Sequence, residues 1–158
     1  MRHVTSRGMT LIELMVALAI AALLAALAAP SVAEYLGNSR LRSAGQVLMA
    51  QLMHAQNEAI RRNGTVEVSA TGSTVRVVDV DAAPLPRTLK EFSLPGGVAV
   101  ASPVVVRFGS LGRPVPFGSG HALQMTMAGA ACATAFRCPV LQVDAGGAMR
   151  LCADADHC

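Results

Sequence analysis

The sequence predicts an α+β chain: a long N-terminal α-helix, its first half membrane-spanning, packed on an antiparallel β-sheet domain. Three observations carry this. Leu14 to Ala29 is sixteen residues without a polar side chain. Residues 31–63 then place apolar side chains every three or four positions. After Gly64 the period drops to two and stays there in a series of short Val-rich runs.

The bulk composition narrows the function classes. At 158 residues and 16.3 kDa the chain holds one ordinary domain. It is 53% apolar and 15% charged, against about 45–50% and about 25% in typical soluble chains, which excludes a disordered charged tail. Five aromatics and no Trp argue against a platform that stacks successive bases. A net charge of +3, with twelve of the thirteen basic residues arginine, is too mild for bulk nucleic-acid coating.

The N-terminus is an export segment. Extended back to Leu11, the apolar run is nineteen residues with one exception, Glu13, and about twenty helical residues cross a hydrocarbon layer of roughly 30 Å. Arg2, His3 and Arg7 precede it, so the positive-inside rule keeps the N-terminus cytoplasmic. A Sec signal fits this outline, with Ala26-Leu27-Ala28 as its small-residue cleavage site. Glu13 does not fit it: a carboxylate in lipid costs about 2.5–3.5 kcal/mol at a helix centre and less near the edge. Removal of the leader MRHVTSRG after Gly8 supplies a counter-ion. The new α-amino group of Met9 lies one helical turn from Glu13, and it can neutralise that carboxylate in its own chain or in a neighbour packed alongside.

The stretch RG-MTLIELMVALAIAALLAALAAP resembles the class III leader and N-terminal helix of type IV prepilins and type II secretion pseudopilins. The resemblance implies that a prepilin peptidase cuts after Gly8 and N-methylates Met9, where the family more often has Phe. It implies an assembly role for Glu13 and a helix bend at Pro30. It is close over residues 7–34 and covers the rest of the chain in layout, which implies a pilin-like fold. The segment from Gln51, QLMHAQNEAIRRNGTVEVSA, is similar to the helix end and first strand of the GspH/FimT branch, mainly through Glu58-Ala59-Ile60 and Arg61-Arg62-Asn63.

Four segments follow: a cleaved leader at 1–8, a transmembrane helix at 9–30, an amphipathic extension at 31–63, and a β domain at 64–158. The stripe Leu41, Ala44, Leu48, Leu52, Ala55, Ala59 marks the buried face of the extension. Asn63-Gly64 reads as its C-cap, after Arg61 and Arg62 in the last turn. Thr65–Ala70 and Thr74–Val80 form a hairpin around Thr71-Gly72-Ser73. Further strands are expected at Thr88–Leu94, Val98–Ala101, Val104–Phe108, Ala122–Met127, Val140–Asp144 and Ala148–Cys152, the last two flanking Ala145-Gly146-Gly147. Gly109 to Gly120 is loop by its Gly and Pro content.

No catalytic constellation emerges, because His3, His54, His121 and His157 stand in no recognisable spacing with Ser, Cys or Asp. Cys132, Cys138, Cys152 and Cys158 are spaced C-x5-C twice, unlike zinc sites. The terminal CADADHC offers Asp154, Asp156 and His157 to a metal, but export to an oxidising compartment favours disulfides. Four Cys allow three connectivities. Short-loop closure favours Cys132–Cys138 with Cys152–Cys158, and a Cys138–Cys152 link across the last hairpin is the alternative. Arg113, Arg137 and Arg150 are candidate phosphate contacts. In some FimT-like proteins implicated in DNA uptake a G-R-x-R turn is thought to contact DNA, and the similar stretch here, Gly147-Ala148-Met149-Arg150, keeps only Arg150.

The resemblance thus implies a non-enzymatic minor pilin or pseudopilin with no cofactor and no metal. Its partners would be other pilins or pseudopilins, the prepilin peptidase and the bacterial inner membrane. Its domain would lie in the periplasm and then in a pilus or pseudopilus, at the tip or elsewhere. A DNA-binding minor pilin for uptake and a Sec-secreted soluble protein are the alternatives.

Overall fold

The computed structural model describes residues 9–128, 132, 137–154 and 158, and for Pro30 the backbone alone. A single helix, α1, runs Leu11–Arg62. The chain divides into two units, Met1–Tyr35 and Leu36–Cys158.

In the first unit, the described residues are the apolar first half of α1, with Leu11 77%, Leu23 63% and Leu27 70% exposed. Such an apolar surface is satisfied by lipid or by other helices. The backbone of α1 continues through Pro30 without a break, although a proline withholds an amide from the carbonyl four residues back.

The second unit is built on the predicted stripe. Leu41, Ala44, Leu48, Leu52, Ala55 and Ala59 are all fully buried. The helix ends as the Asn63-Gly64 pair predicts. Asn63 takes a left-handed φ of 51°, and its amide reaches the Ile60 carbonyl while the Gly64 amide reaches that of Ala59. These two bonds are a Schellman motif.

Eight strands follow: β1 Val66–Thr71, β2 Thr74–Asp79, β3 Arg87–Ser93, β4 Val98–Val100, β5 Val104–Phe108, β6 His121–Met127, β7 Val140–Val143 and β8 Met149–Cys152. All lie where the period-two runs place them, within a residue or two. They form two four-stranded sheets, in the orders β3-β2-β1-β5 and β4-β6-β7-β8. Alternation fixes which side chains point inward but not which strands pair. β4 follows β3 in sequence, yet it pairs with β6. The inward residues of both sheets meet the helix stripe in one core that includes Val66, Val75, Val106, Phe108, Leu123, Met125 and Leu141. Residues 109–120 carry no strand, as expected, beyond one bridge of Pro114 to Phe108.

Candidate functional site

The candidate assembly site lies at the first turn of α1. Thr10 is its N-cap: its amide and its Oγ1 hydroxyl both donate to Glu13 Oε2 at 2.9 Å, and the Glu13 amide donates back to Thr10 Oγ1 at 3.3 Å. This reciprocal pair is a capping box. Thr10 was not singled out from the sequence, although T-x-x-E just ahead of an apolar run is the pattern that signals it. Glu13 opens on a shallow groove lined by Ile12, Val16, Ala17 and Ile20, positions that share one helix face. A carboxylate at the mouth of an apolar helical groove suits a second helix that brings a cation. Gly8 lies outside the described residues, and Met9 is 69% exposed.

At its far end α1 is joined to β2 by charge. Glu58 accepts from Arg61 and Arg62, each at 2.7 Å, and Arg62 reaches Asp79 of β2 at 3.1 Å. Asp79 is the buried charged residue among the described residues, 7% exposed. The hydrogen bonds from Arg61 and then Arg62 hold the Glu58 carboxyl down at about 2, and Glu58 in turn raises Arg62 above its ordinary value. The Glu58–Arg62 stretch that matched the GspH/FimT branch is therefore a helix-to-sheet fastener, with Ala59 in the core between the charges.

A second fastener was not visible in the sequence. Gln56 Nε2 donates to the Gly112 carbonyl at 2.6 Å and to the Gly147 carbonyl at 3.0 Å, tying the 109–120 loop and the β7–β8 turn to the helix. Gly147 has φ +90°, and a Cβ there would run into the Gly112 carbonyl. Asp144 Oδ1 accepts the Gly146 and Ala148 amides at 2.8 Å each, which closes the turn.

The four candidate cysteines pair as Cys132–Cys138 and Cys152–Cys158, with Cα separations of 5.4 and 4.6 Å, both ordinary for a disulfide. The three candidate DNA-contact arginines fall on separate features. Arg113 stacks over Phe117 at 5.7 Å in the 109–120 loop. Arg137 lines a groove beside Arg42 of α1. Arg150 lines a pocket of about 430 Å³ with His121, Gln142 and Asp144, and the Nε2 of His121 is buried there without a partner. His54 lies in a cleft with Glu58, Arg62, Arg87 and Lys90. His3, Asp156 and His157 lie outside the described residues. Among the described residues no group of three His, Cys, Asp or Glu is placed to hold a metal.

Comparison with known proteins agrees with this geometry. The model of the prokaryotic N-terminal methylation motif matches residues 5–29, and that of type II transport protein GspH matches residues 44–147, about two thirds of the chain. Among curated proteins none matches in sequence. Two crystal forms of the type IV minor pilin FimU of Pseudomonas aeruginosa share the fold at 18% identity. One has a TM-score of 0.59 over 74% of this chain and 91% of that one, and the other 0.55 over 70% and 90%. A prepilin-type N-terminus, a helix fastened to paired antiparallel sheets and a family match across the domain give one assignment: the chain belongs to the GspH family of minor pilins and pseudopilins.

Proposed function

We propose that the chain works as a structural subunit that is cut after Gly8, methylated at Met9 and held in the inner membrane by residues 9–30, with its domain in the periplasm. From there it enters a type IV pilus or a type II secretion pseudopilus to help prime or cap it. The observation that carries this is the first half of α1, an apolar helix with no buried side chain among the described residues from Leu11 to Ala29 and one carboxylate at its start. Such a surface is unstable in water and is satisfied in lipid or in a bundle of like helices. Within that bundle Glu13 meets the Met9 amine of a neighbour, the two charges cancel, and the pairing sets the axial register of one subunit against the next. Pro30 lets the helix bend as it packs. The Glu58, Arg62 and Gln56 fasteners hold the sheets on the second half of α1.

The family and fold are those of structural subunits. Of the G-R-x-R turn only Arg150 is kept, with Ala148 at the first Arg position, which favours assembly over DNA capture. Intact mass of the protein extracted from membranes tests the reading. Loss of residues 1–8 with gain of one methyl supports it, and loss of everything through Ala28 establishes a Sec-secreted protein instead.

A further inference from the structure

β8 is an edge strand, the last in the order β4-β6-β7-β8. The Asp144 amide bonds to the Ala148 carbonyl at 2.9 Å, so by the alternation of an antiparallel ladder Arg150 and Cys152 bond inward to β7. The backbone groups of Met149 and Leu151 therefore point outward, and among the described residues no hydrogen bond reaches them. An edge of this kind is usually blunted by charges, proline or a covering segment. β3, one edge of the other sheet, carries Arg87, Lys90 and Glu91. At β8, Leu151 instead lines a groove of about 530 Å³ that α1 lines from the other side. Arg42, Gln46 and Met49 come from the helix, and Arg137, Pro139 and Leu151 from the sheet side. Met49, Pro139 and Leu151 give it apolar surface, and the two charged side chains that line it are both guanidinium groups. Among the described residues neither forms a salt bridge.

We propose that this groove is a docking site for an extended, acid-bearing segment of a neighbouring filament subunit, added as a short strand to the free edge of β8. A strand's side chains alternate. One set would lie on Met49, Pro139 and Leu151, while the carboxylates of the occupant pair with Arg42 and Arg137. About four residues, at roughly 3.4 Å each, suffice to bond both outward positions. The charge pattern selects this occupant: a lipid acyl chain leaves the edge amides and carbonyls unsatisfied, and a helix cannot bond to them. That the partner is a filament subunit rests on the function proposed above, whereas the strand-and-charge chemistry does not.

Two experiments separate these claims. The full chain, in detergent micelles, is titrated with a synthetic octapeptide of alternating Val and Asp, with its Val/Lys counterpart, and with a Val/Asp peptide N-methylated along its bonding edge. The Val/Asp peptide is expected to bind and to slow amide exchange at Met149 and Leu151, with the other two at least about tenfold weaker. Arg42→Glu with Arg137→Glu is expected to reverse the preference at an unchanged thermal midpoint, and Gln46→Trp to block the groove by bulk. No binding, binding that ignores charge or N-methylation, or exchange unaltered at β8 overturns the site. In cells, a photo-crosslinking residue at position 46 of the full chain is expected to label an acidic, extended segment of another pilin-type subunit. Labelling of lipid, nucleic acid or a helix overturns the occupant. If the chain is present in filaments but position 46 labels no subunit, the docking claim falls and the filament function stands. If the peptide binds but the chain never enters filaments, the filament function falls.

Discussion

Gln56 is a good place to test the physical account, because one amide nitrogen holds two loops. Its Nε2 donates at 2.6 and 3.0 Å to two carbonyls that come 56 and 91 residues later in the sequence. A net hydrogen bond is worth about 0.5–1.5 kcal/mol, and an acceptor left buried and unsatisfied costs a further 1–3 kcal/mol. Gln56 is only partly buried, so water can recover some of that, and Gln56→Ala is expected to cost about 2 kcal/mol. For a domain of this size that lowers the thermal midpoint by roughly 4–8 °C. Gln56→Glu is the sharper variant. It keeps the shape but replaces a donor with a carboxylate that faces two carbonyl oxygens. At neutral pH it should therefore destabilise at least as much as Ala. Protonation restores one O–H donor, so the folded state raises that carboxyl's pKa, and the lost stability should return in part as pH falls into its titration range. The assay is thermal unfolding of the micelle-bound chain with its disulfides intact, followed by circular dichroism across pH. A Gln56→Glu midpoint equal to the parent's at neutral pH would refute the claim that this donor fastens the loops.

Four further outcomes follow from the structure. Gly8→Val should block leader removal and trap the precursor in the membrane, whereas Glu13→Val should be processed and inserted but fail to enter filaments; both are read by mass and by filament fractionation. Because Glu58 is held at about 2, below its unfolded value, its pairing with Arg61 and Arg62 stabilises fully above the ordinary carboxylate range. That contribution should fade as pH drops from about 4.5 toward 2, and Glu58→Gln should flatten that part of the stability–pH profile. Non-reducing peptide mapping should recover Cys132–Cys138 and Cys152–Cys158, and a Cys138–Cys152 peptide would reject this pairing. On duplex DNA, a lone Arg150 contact gives a log–log salt slope of about −0.9. A slope near −2.7 that drops by one unit on Arg150→Ala would restore a three-arginine patch and the DNA-uptake reading.

The sequence disclosed the elements far better than their partnerships. The stripe Leu41 to Ala59 and the period-two runs were legible because each depends on local spacing, and every member of the stripe is buried. The Asn63-Gly64 cap was legible because its chemistry is contained in two adjacent residues. The split into two sheets was not, since β4 and β6 meet across more than twenty residues of intervening chain. Nor was the Gln56 clamp, whose partners are backbone carbonyls that leave no mark in side-chain identity. Arg62 to Asp79 lies between these cases. Both residues are plain in the sequence, but only the packing of α1 against β2 shows that one neutralises the other.

Glu13 poses a conflict that the structure resolves. From the sequence, its carboxylate is explained by the Met9 amine of its own chain or of a neighbouring one; in the folded helix it is already engaged, capping its own N-terminus through Thr10. If the cap consumed the carboxylate, the intermolecular pairing would have to break it. But both donations from Thr10 fall on Oε2, and among the described residues Oε1 receives none. A carboxylate has about four acceptor sites, so the second oxygen can take a neighbour's ammonium while the first keeps the cap. On the proposed pairing, the cap would serve the assembly. It fixes the rotamer of Glu13 and so orients Oε1 before a partner arrives, which lowers the ordering cost of the pairing in lipid. Thr10→Val, which removes the hydroxyl and leaves the charge, is therefore expected to weaken filament entry less than Glu13→Val but in the same direction. Assembly by Thr10→Val at the parent level would mean that Glu13 needs no positioning by its own helix.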